Sequence, residues 1–343
     1  MAGVGRGGGG VPFEDGARLK RALVTGGHGF VASHLARALL AAGVGVRVLD
    51  RPGPRLTDVG GPRTSGLELL GIGAEVELVE ADLLDAASVA GAVAGCDAVF
   101  HLAAQTIVGV ARDSPAATFE INVRGAWNVF EACRAEGVEK VVFASSDKAY
   151  GSSSDLPYRE DDPLRAAFPY DASKAAADVI ARSYADAYGL PVAVTRFANI
   201  YGGGDLNFTR LIPEAAIAAA DGRAPRIRSD GSPKRDFLHV DDAVAAYLAI
   251  AAALDAPGAA GEAFNAGGDR PHTVREVVDL IVEVSGSGVA AEYGPGLPAG
   301  EIRDQYLDSG KLTATTGWRP EVDLRTGLLR TLEWYREHTE IRP

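Results

Sequence analysis

Short runs of β-branched residues alternate with longer segments rich in Ala and Leu from residue 21 onward, and this alternation limits the possible folds more than any other feature. Such alternation predicts successive βα units, because parallel strands need a crossover connection between them. The pattern predicts strands at 21–25, 45–50, 75–80, 98–102, 139–145 and 191–197, and helices near 30–42, 85–94, 114–136 and 168–189. We therefore expect an α/β fold with a doubly wound parallel sheet and right-handed crossovers.

The alternation ends after residue 198, where three consecutive glycines occupy 202–204. Beyond them the pattern predicts short strands near 225–229, 236–239 and 262–265, and helices near 209–221, 241–255, 273–285 and 324–338. Thr273 and Glu276 form a capping-box pattern that marks the start of one of these helices. We expect a disordered leader at 1–20, a Rossmann-type nucleotide-binding domain at 21–197 with 236–260 interleaved, and a smaller C-terminal substrate domain at 198–343.

Composition excludes several classes of function. A formal net charge of −12 argues against a nucleic-acid binder, so a negatively charged substrate would have to be held by local arginines. The six histidines and the cysteines Cys96 and Cys133 form no metal-binding pattern. The longest apolar run, at 243–254, is shorter than a membrane span needs, and the glycine-rich N-terminus does not resemble a secretory signal. We expect a cytoplasmic protein with no metal, nucleic-acid or membrane partner.

A glycine-rich segment, TGGHGFVA at 25–32, lies between the first predicted strand and the first predicted helix. Gly26 and Gly29 allow a tight turn that brings backbone N–H groups and the helix N-terminus against a pyrophosphate. Phe30 and Val31 open that helix and complete the predicted dinucleotide contact.

Acidic residues follow the next two predicted strands. Asp50 ends the second strand, where a carboxylate accepts hydrogen bonds from ribose hydroxyls and disfavours a 2′-phosphate, which favours NAD over NADP. The neighbouring Arg51 opposes that preference. Asp82 follows the third strand and is predicted to approach the adenine. The alternative is a glycine turn and a capping Asp with no nucleotide.

Residues 144–174 carry the candidate reactive groups. Tyr170 and Lys174 are four residues apart on a predicted helix, so they share a face, and the ammonium can lower the pKa of the phenol. Ser146, Asp147 and Lys148 follow a predicted strand at its carboxyl end, which is the edge where open α/β sheets bind their ligands.

Together these segments resemble the extended short-chain dehydrogenase/reductase superfamily of nucleotide-sugar epimerases and dehydratases, from about residue 21 to the C-terminus. The resemblance is carried by TGGHGFVASHL at 25–35, HLAAQ at 101–105, YDASK at 170–174, RFANIYG at 196–202, RDFLHVDDA at 235–243 and LDSGK at 307–311. It implies that Tyr170 takes the proton from the sugar 4-hydroxyl while hydride moves from C4 to NAD. It also implies that Lys174 holds the nicotinamide ribose and that Ser146 shares a hydrogen bond with the same hydroxyl.

The resemblance also implies further ligand contacts. Those to the cofactor are Leu83, Leu102, Ala103 and Ala104. Those to the substrate are Gln105, Asn199, Asn207, Arg210, Leu211, Arg235 and Arg303. Arg235 is the expected diphosphate clamp, because a guanidinium binds phosphate bidentately, and Arg303 is a second candidate. A surface ion pair is the alternative for either arginine.

The pair Asp147-Lys148 resembles the Asp-Lys of CDP-glucose 4,6-dehydratases and of some UDP-sugar dehydratases, whereas dTDP-glucose enzymes carry Asp-Glu. It implies that Lys148 is the base at C5 and Asp147 the acid at the C6 oxygen. The alternative is a helix-capping or turn-forming Asp beside a solvated Lys, neither with a catalytic role. Two other functions stay open: a 4-epimerase, which needs only Ser146, Tyr170 and Lys174, and an NAD-binding regulator without turnover.

The predicted helices at 114–136 and 168–189 have apolar positions beyond those that one face of a sheet needs. Members of the family pair these two helices with their copies in a four-helix bundle, so the resemblance implies a homodimer. A pair of helices that only covers the sheet is the alternative.

Overall fold

The structure is a computed structural model that describes residues 19–52, 64–268, 270–297 and 302–342. Its centre is a sheet of seven strands whose pairings are all parallel. The strands are β1 (Arg21–Thr25), β2 (Gly45–Asp50), β3 (Glu77–Glu80), β4 (Ala98–His101), β5 (Lys140–Ala144), β6 (Val192–Phe197) and β11 (Ala263–Ala266), in the spatial order β11-β6-β5-β4-β1-β2-β3. The predicted doubly wound parallel sheet is confirmed.

Helices cover both faces of this sheet. Their bounds are α1 (Phe30–Ala41), α2 (Gly66–Leu69), α3 (Ala86–Val93), α4 (Val108–Asp113), α5 (Pro115–Phe119), α6 (Gly125–Glu136), α7 (Pro169–Tyr188), α8 (Leu211–Ala220), α9 (Val240–Ala253), α10 (Val274–Ser285), α11 (Gly310–Thr316) and α12 (Leu324–Glu337). One apolar core joins α1, α9 and α11 to the sheet, and a second joins α3, α6 and α7 to the opposite face. Burial on both faces explains why the central strands read as nearly continuous apolar runs.

The predicted helix at 114–136 is not one regular helix. The structure divides it into α5, a π-helical turn at Glu120–Arg124, and α6. Within the π turn, the Asn122 amide donates to the backbone oxygen of Gln105 (3.0 Å) and to the Ser173 hydroxyl on α7 (2.9 Å). Such a turn accommodates one extra residue per turn, which hydrophobic periodicity over a long helix does not reveal.

The C-terminal part has a third apolar core between α8, α10 and α12. Short strand pairs surround it: β7 (Asn199–Tyr201) with β10 (Phe237–His239), β8 (Arg226–Ile227) with β13 (Glu292–Tyr293), and β9 (Lys234–Arg235) with β12 (His272–Thr273). The Thr273–Glu276 capping box is confirmed at the start of α10. Because β11 lies beside β6, the sheet includes chain beyond residue 260, the predicted end of the interleaved segment.

Several predictions concern the ends and loops of the chain. Residues 1–18 of the predicted leader lie outside the described residues, and Leu19 is buried. Across the described ranges, no helix has both the length and the apolar character of a membrane span. Within the same ranges, no cluster of three or more His, Cys, Asp or Glu side chains is arranged to hold a metal ion.

Candidate active site

The glycine turn that follows β1 requires residues without a Cβ. Gly26 has a φ of +76°, and a Cβ there would lie 2.8 Å from the Cα of Ala103. Gly29 is the N-cap of α1, and its N–H donates to the Gly26 oxygen (2.8 Å). A Cβ at Gly27, which the sequence analysis did not assign, would overlap Val48 of β2. Only glycine fits these close approaches, and the turn leads into the N-terminus of α1, whose backbone N–H groups suit a pyrophosphate.

The remaining predicted cofactor residues lie at the same edge of the sheet. The buried Asp50 ends β2, and its carboxylate accepts from the N–H groups of His28 (3.0 Å) and Arg51 (2.8 Å), which ties it to the glycine turn. Asp82 is exposed, and its carboxylate accepts from the Leu84 N–H (2.9 Å). Leu83, buried, and Leu102, Ala103 and Ala104, half-buried, follow β3 and β4. The site fits a dinucleotide.

The turn after β5 carries the predicted acid and base. It forms a 3₁₀ helix over Asp147–Tyr150, with Ser146 as its N-cap. The Ser146 hydroxyl accepts from the Lys148 N–H (3.2 Å) and donates to Asp147 Oδ1 (3.2 Å). The cap therefore fixes Asp147 and Lys148 at the carboxyl edge of the sheet.

Asp147 is the most unusual group of this turn. Its side chain lines a cavity yet the residue is only 4% exposed, and Oδ2 has no hydrogen-bond partner among the described residues. Burial raises the pKa of the carboxyl, and the nearby charge of Lys148 opposes that shift only in part. Because burial disfavours its charged form, this carboxyl holds a proton more readily than an exposed one, which suits a proton donor.

Tyr170 lies in the first turn of α7, which begins with Pro169 at its N1 position. Burial raises the pKa of its phenol to about 12, and the Arg210 charge and a hydrogen bond with Ser146 act in the opposite direction. The groups that stabilise the phenolate in this geometry are therefore Arg210 and Ser146.

Lys174 lies one helical turn after Tyr170 and is also buried. Its Nζ donates to the Ala144 oxygen (2.9 Å), and burial lowers the pKa of the ammonium to about 8. Lys174 thus connects α7 to the end of β5.

Most of the predicted catalytic and substrate residues surround one cavity of about 560 Å³, a size typical of a small-molecule site. The residues from that prediction that line it are Ser146, Asp147, Lys148, Tyr170, Asn199, Asn207, Arg210, Leu211 and Arg235. They come from the turn after β5, the start of α7, strands β7 and β9, and the start of α8. Segments that lie far apart in the chain therefore form one site.

Two arginines of this cavity are held by protein acceptors. Arg235 donates to the backbone oxygens of Lys234 (2.8 Å), Arg303 (2.6 Å) and Ile302 (2.5 Å), which fixes its guanidinium at the cavity wall. Arg210 is 41% exposed and forms an ion pair with Asp205 (3.0 Å), which raises the pKa of the guanidinium. Both geometries present positive charge to the cavity before a ligand binds.

Three further basic residues of the cavity wall were not predicted from the sequence: Arg112, Arg226 and Arg228. Arg112 lies in the last turn of α4, and its guanidinium lies 5.2 Å from the centre of the Phe168 ring. Arg228 donates to the Thr209 oxygen (3.1 Å). In a chain with a net charge of −12, these arginines place positive charge on the cavity wall, which suits an anionic ligand.

Asp171 is a fourth cavity residue that the sequence analysis missed, although it belongs to the YDASK segment. It is buried, and burial raises the pKa of its carboxyl to about 6. The charges of Lys148 and Arg112 oppose this shift and that of Asp147 adds to it. Asp171 therefore places a second carboxyl beside Lys148.

Two predicted substrate residues are not brought to the cavity. The Gln105 amide donates to the Ile107 oxygen (3.0 Å) and accepts from the Ile107 N–H (2.6 Å), so its side chain closes a local turn. Arg303 is exposed and does not line the cavity, and its backbone oxygen accepts from Arg235. Asn199, in contrast, lines the cavity while its amide donates to the Asp236 oxygen (3.2 Å).

Comparison with known proteins shows the family of the chain. The profile of the NAD dependent epimerase/dehydratase family matches residues 22–267. The chain is 34% identical to UDP-glucose 4-epimerase of Mycolicibacterium smegmatis, over 93% of this chain and 100% of the relative. It is 33% identical to dTDP-glucose 4,6-dehydratase of Streptomyces griseus, over 92% of this chain and 94% of the relative. A solved structure of dTDP-glucose 4,6-dehydratase from Streptomyces venezuelae, with NAD and TYD bound, superposes with a TM-score of 0.83 at 32% identity, covering 93% of this chain and 98% of that one.

Proposed function

Given that this chain belongs to the NAD-dependent epimerase/dehydratase family, we propose that it is a nucleotide-hexose 4,6-dehydratase that forms a 4-keto-6-deoxy sugar nucleotide. NAD is its cofactor; the glycine turn at Gly26 and Gly29 and the Asp50 carboxylate would hold it, and it would supply the acceptor for hydride from C4 and the donor of hydride to C6. Relatives with epimerase and dehydratase names have nearly the same identity, so overall similarity does not separate the two reactions. The choice rests on the residues of the cavity.

The observation that carries the proposal is the environment of Asp147. A 4-epimerase needs no proton donor at C6, whereas a dehydratase must protonate the C6 hydroxyl as it leaves. The Asp147 carboxyl is buried at the cavity wall, its pKa is raised, and Oδ2 has no hydrogen-bond partner among the described residues. These features support a general acid at the wall of the cavity.

Lys148 is the proposed partner of Asp147 in the elimination. A ketone at C4 makes the C5 proton acidic, and the amine of Lys148, after it has released its own proton, accepts the proton from C5. The electron pair of the C5–H bond forms the C5–C6 double bond, the C6–O bond breaks, and the Asp147 proton goes to the departing oxygen, which leaves as water. Lys148 then returns its proton to C5. Acid and base occupy consecutive positions on one turn.

The remaining residues bind the substrate and begin the reaction. Tyr170 accepts the proton of the C4 hydroxyl, and Arg210 and Ser146 offset in part the burial that raises the pKa of its phenol. Arg235, fixed by backbone oxygens, is the proposed clamp for the diphosphate. The proposed contacts to the nucleotide base are Asn207, in the segment before α8, and Arg210 and Leu211, at the start of that helix.

A substrate panel tests the reaction directly. The protein is incubated with CDP-, dTDP-, UDP- and GDP-glucose and with UDP-GlcNAc, without added reductant, and the products are analysed by mass spectrometry. The proposal predicts that at least one of them loses one molecule of water. Formation of a C4 epimer with no dehydrated product from any of them would refute it and favour the epimerase.

Asp147→Asn tests the acid. The amide has nearly the same shape but cannot donate the carboxyl proton, so dehydration of the normal substrate is expected to fall by about 10²- to 10⁴-fold. A nucleotide hexose with fluoride in place of the C6 hydroxyl needs much less acid assistance, so on this analogue the variant is expected to approach the wild-type rate. An equal loss on both substrates would show that Asp147 is not the acid at C6.

A 4-epimerase is the second candidate, and the relative from Mycolicibacterium smegmatis favours it. Ser146, Tyr170 and Lys174 suffice for that reaction. On this reading Asp147 and Lys148 would have no chemical role, although the cavity presents both of them.

We also propose a homodimer formed through α5, α6 and α7. Large apolar side chains are exposed along these helices: Phe119, Trp127, Val179 at 58% and Tyr188 at 62%. Contiguous exposed apolar surface marks interaction sites. A second copy of the same surface would cover it in a two-fold bundle.

Trp127→Glu combined with Val179→Glu tests this interface. Charges at both positions are expected to dissociate the dimer, so sedimentation should give one protomer mass for the variant and two for the wild type. Leu329→Glu, at another exposed apolar residue on α12, is the control and should remain dimeric. A wild-type protein that sediments as a monomer at working concentration would contradict the proposal.

A further inference from the structure

Four buried polar residues lie behind the active site, between the turn after β5 and helix α7. They are Tyr150, Asp178, Arg196 and Asn265, and we call this set the buried brace. Each is at least 98% buried, and none lines the described cavity. The brace therefore does not touch the substrate, but it joins the elements that do.

Arg196 is the centre of the brace. From β6 its guanidinium binds both carboxylate oxygens of Asp178 on α7 (2.8 and 2.9 Å) and donates from Nη1 to the Tyr150 hydroxyl (2.9 Å). The guanidinium also lies 4.9 Å from the centre of the Tyr150 ring. Tyr150 is the last residue of the 3₁₀ helix that begins at Asp147. One side chain thus fixes that turn to α7.

Asn265 fixes the same turn from the edge of the sheet. The Tyr150 hydroxyl donates to Asn265 Oδ1 (2.8 Å), and Asn265 Nδ2 donates to the Tyr158 oxygen (3.0 Å). The rings of Tyr150 and Tyr158 stack at 4.8 Å. These contacts hold Tyr150, and with it the turn, in one position against α7 and β11.

The spacing of residues on α7 connects the brace to the catalytic residues. Asp178 follows Lys174 by four residues and Tyr170 by eight, so the three side chains lie along one face of the helix. Tyr150 follows Asp147 by three residues and Lys148 by two. The brace therefore spans the oxidation pair, Tyr170 and Lys174, and the elimination pair, Asp147 and Lys148.

A buried ion pair is a poor way to gain stability, because desolvation offsets most of the attraction between the charges. A bidentate pair does fix geometry, since the planar guanidinium accepts only a narrow range of orientations. We propose that the buried brace is a positioning device that sets Asp147 and Lys148 against the sugar bound at Tyr170, so that its loss slows elimination more than oxidation. This inference rests on the proposed dehydratase function.

Tyr150→Phe is the primary test, because it removes one hydroxyl and keeps the stacked ring. Oxidation at C4 should continue, whereas the rate of elimination should fall by about tenfold to 10²-fold, since a displacement of about 1 Å can cost that much. Reduced nicotinamide should then accumulate on the enzyme during turnover, and KM should change little. Amide hydrogen exchange over residues 147–150 should become faster.

Tyr184→Phe is the matched control. It removes a phenol hydroxyl from α7 itself, one that donates to Glu131 (2.5 Å) on α6, away from the turn. It should leave the balance between oxidised and eliminated sugar unchanged. Asp178→Asn, which weakens the ion pair without removing the side chain, should shift the balance in the same direction as Tyr150→Phe.

The outcomes separate this inference from the function on which it rests. If the wild-type protein forms no dehydrated product, both the proposed function and this inference are refuted. Suppose instead that the wild-type protein dehydrates its substrate, but the Tyr150→Phe variant shows neither accumulated reduced nicotinamide nor faster amide exchange in the turn. That result refutes the inference alone. A Tyr184→Phe variant with the same shift as Tyr150→Phe would also overturn it, because the effect would not be specific to the brace.

Discussion

Replacing Lys148 with alanine is expected to lower dehydration by about 10²- to 10⁴-fold, the usual contribution of a positioned general base. The variant retains Tyr170, Lys174 and Ser146, so the sugar is still oxidised at C4. Because the C5 proton then has no acceptor, the reaction should stop at the ketone, and the absorbance of reduced nicotinamide should rise and persist. Rapid mixing with the substrate identified by the panel measures both quantities.

Lys148→Arg and Lys20→Ala are the controls for this result. Arginine keeps the positive charge but cannot be a base, so it should fail in the same way as alanine. Lys20 is exposed and does not line the cavity, so its loss should leave dehydration intact. A Lys148→Ala protein that turns over normally, with a C4 epimer as its product, would establish the epimerase instead.

Replacing Tyr170 with phenylalanine is expected to block an earlier step, the oxidation of the sugar at C4. Without the phenol no group accepts the C4 hydroxyl proton, so oxidation and every later step should fall by about 10²- to 10⁴-fold. Reduced nicotinamide should not accumulate, in contrast to Lys148→Ala. Tyr170→Phe therefore stops the reaction before the 4-keto intermediate forms, and Lys148→Ala stops it after that intermediate has formed.

Binding measurements provide the control for Tyr170→Phe. The hydroxyl is one polar contact among many in the cavity, so affinity for NAD and for a nucleoside diphosphate should change little. A variant that oxidises its substrate at the wild-type rate would contradict the assignment of Tyr170. Loss of NAD binding would instead show that the substitution disturbed the site as a whole.

The sheet was predictable because its signals are local. Each strand is a short apolar run bounded by a turn, and the predicted bounds of β1 and β2 agree with the structure. The active-site turn and the Tyr170–Lys174 pair were predictable for the same reason, since a strand end or a helical repeat is defined within a few residues. The π-helical turn at Glu120–Arg124 was not, because one extra residue barely alters the apolar pattern.

The wall of the cavity could be predicted only in part. Arg112, Arg226 and Arg228 lie in segments with no recognisable motif, and only the fold brings them together. Gln105 belongs to a motif, yet its side chain is used within its own turn. The buried brace joins residues from four separate segments of the chain, so no spacing in the sequence indicates it. Long-range polar contacts depend on how the elements pack, which residue patterns do not encode directly.

One measurement tests the central claim most directly. The nucleotide hexose accepted by the protein is prepared with deuterium at C4, incubated without added cofactor or reductant, and the product is examined by NMR and mass spectrometry. A 4,6-dehydratase should give a dehydrated 4-ketone that carries the deuterium at C6, because the hydride taken from C4 returns there. A product of unchanged mass with inverted configuration and deuterium still at C4 would contradict the dehydratase and identify the chain as an epimerase.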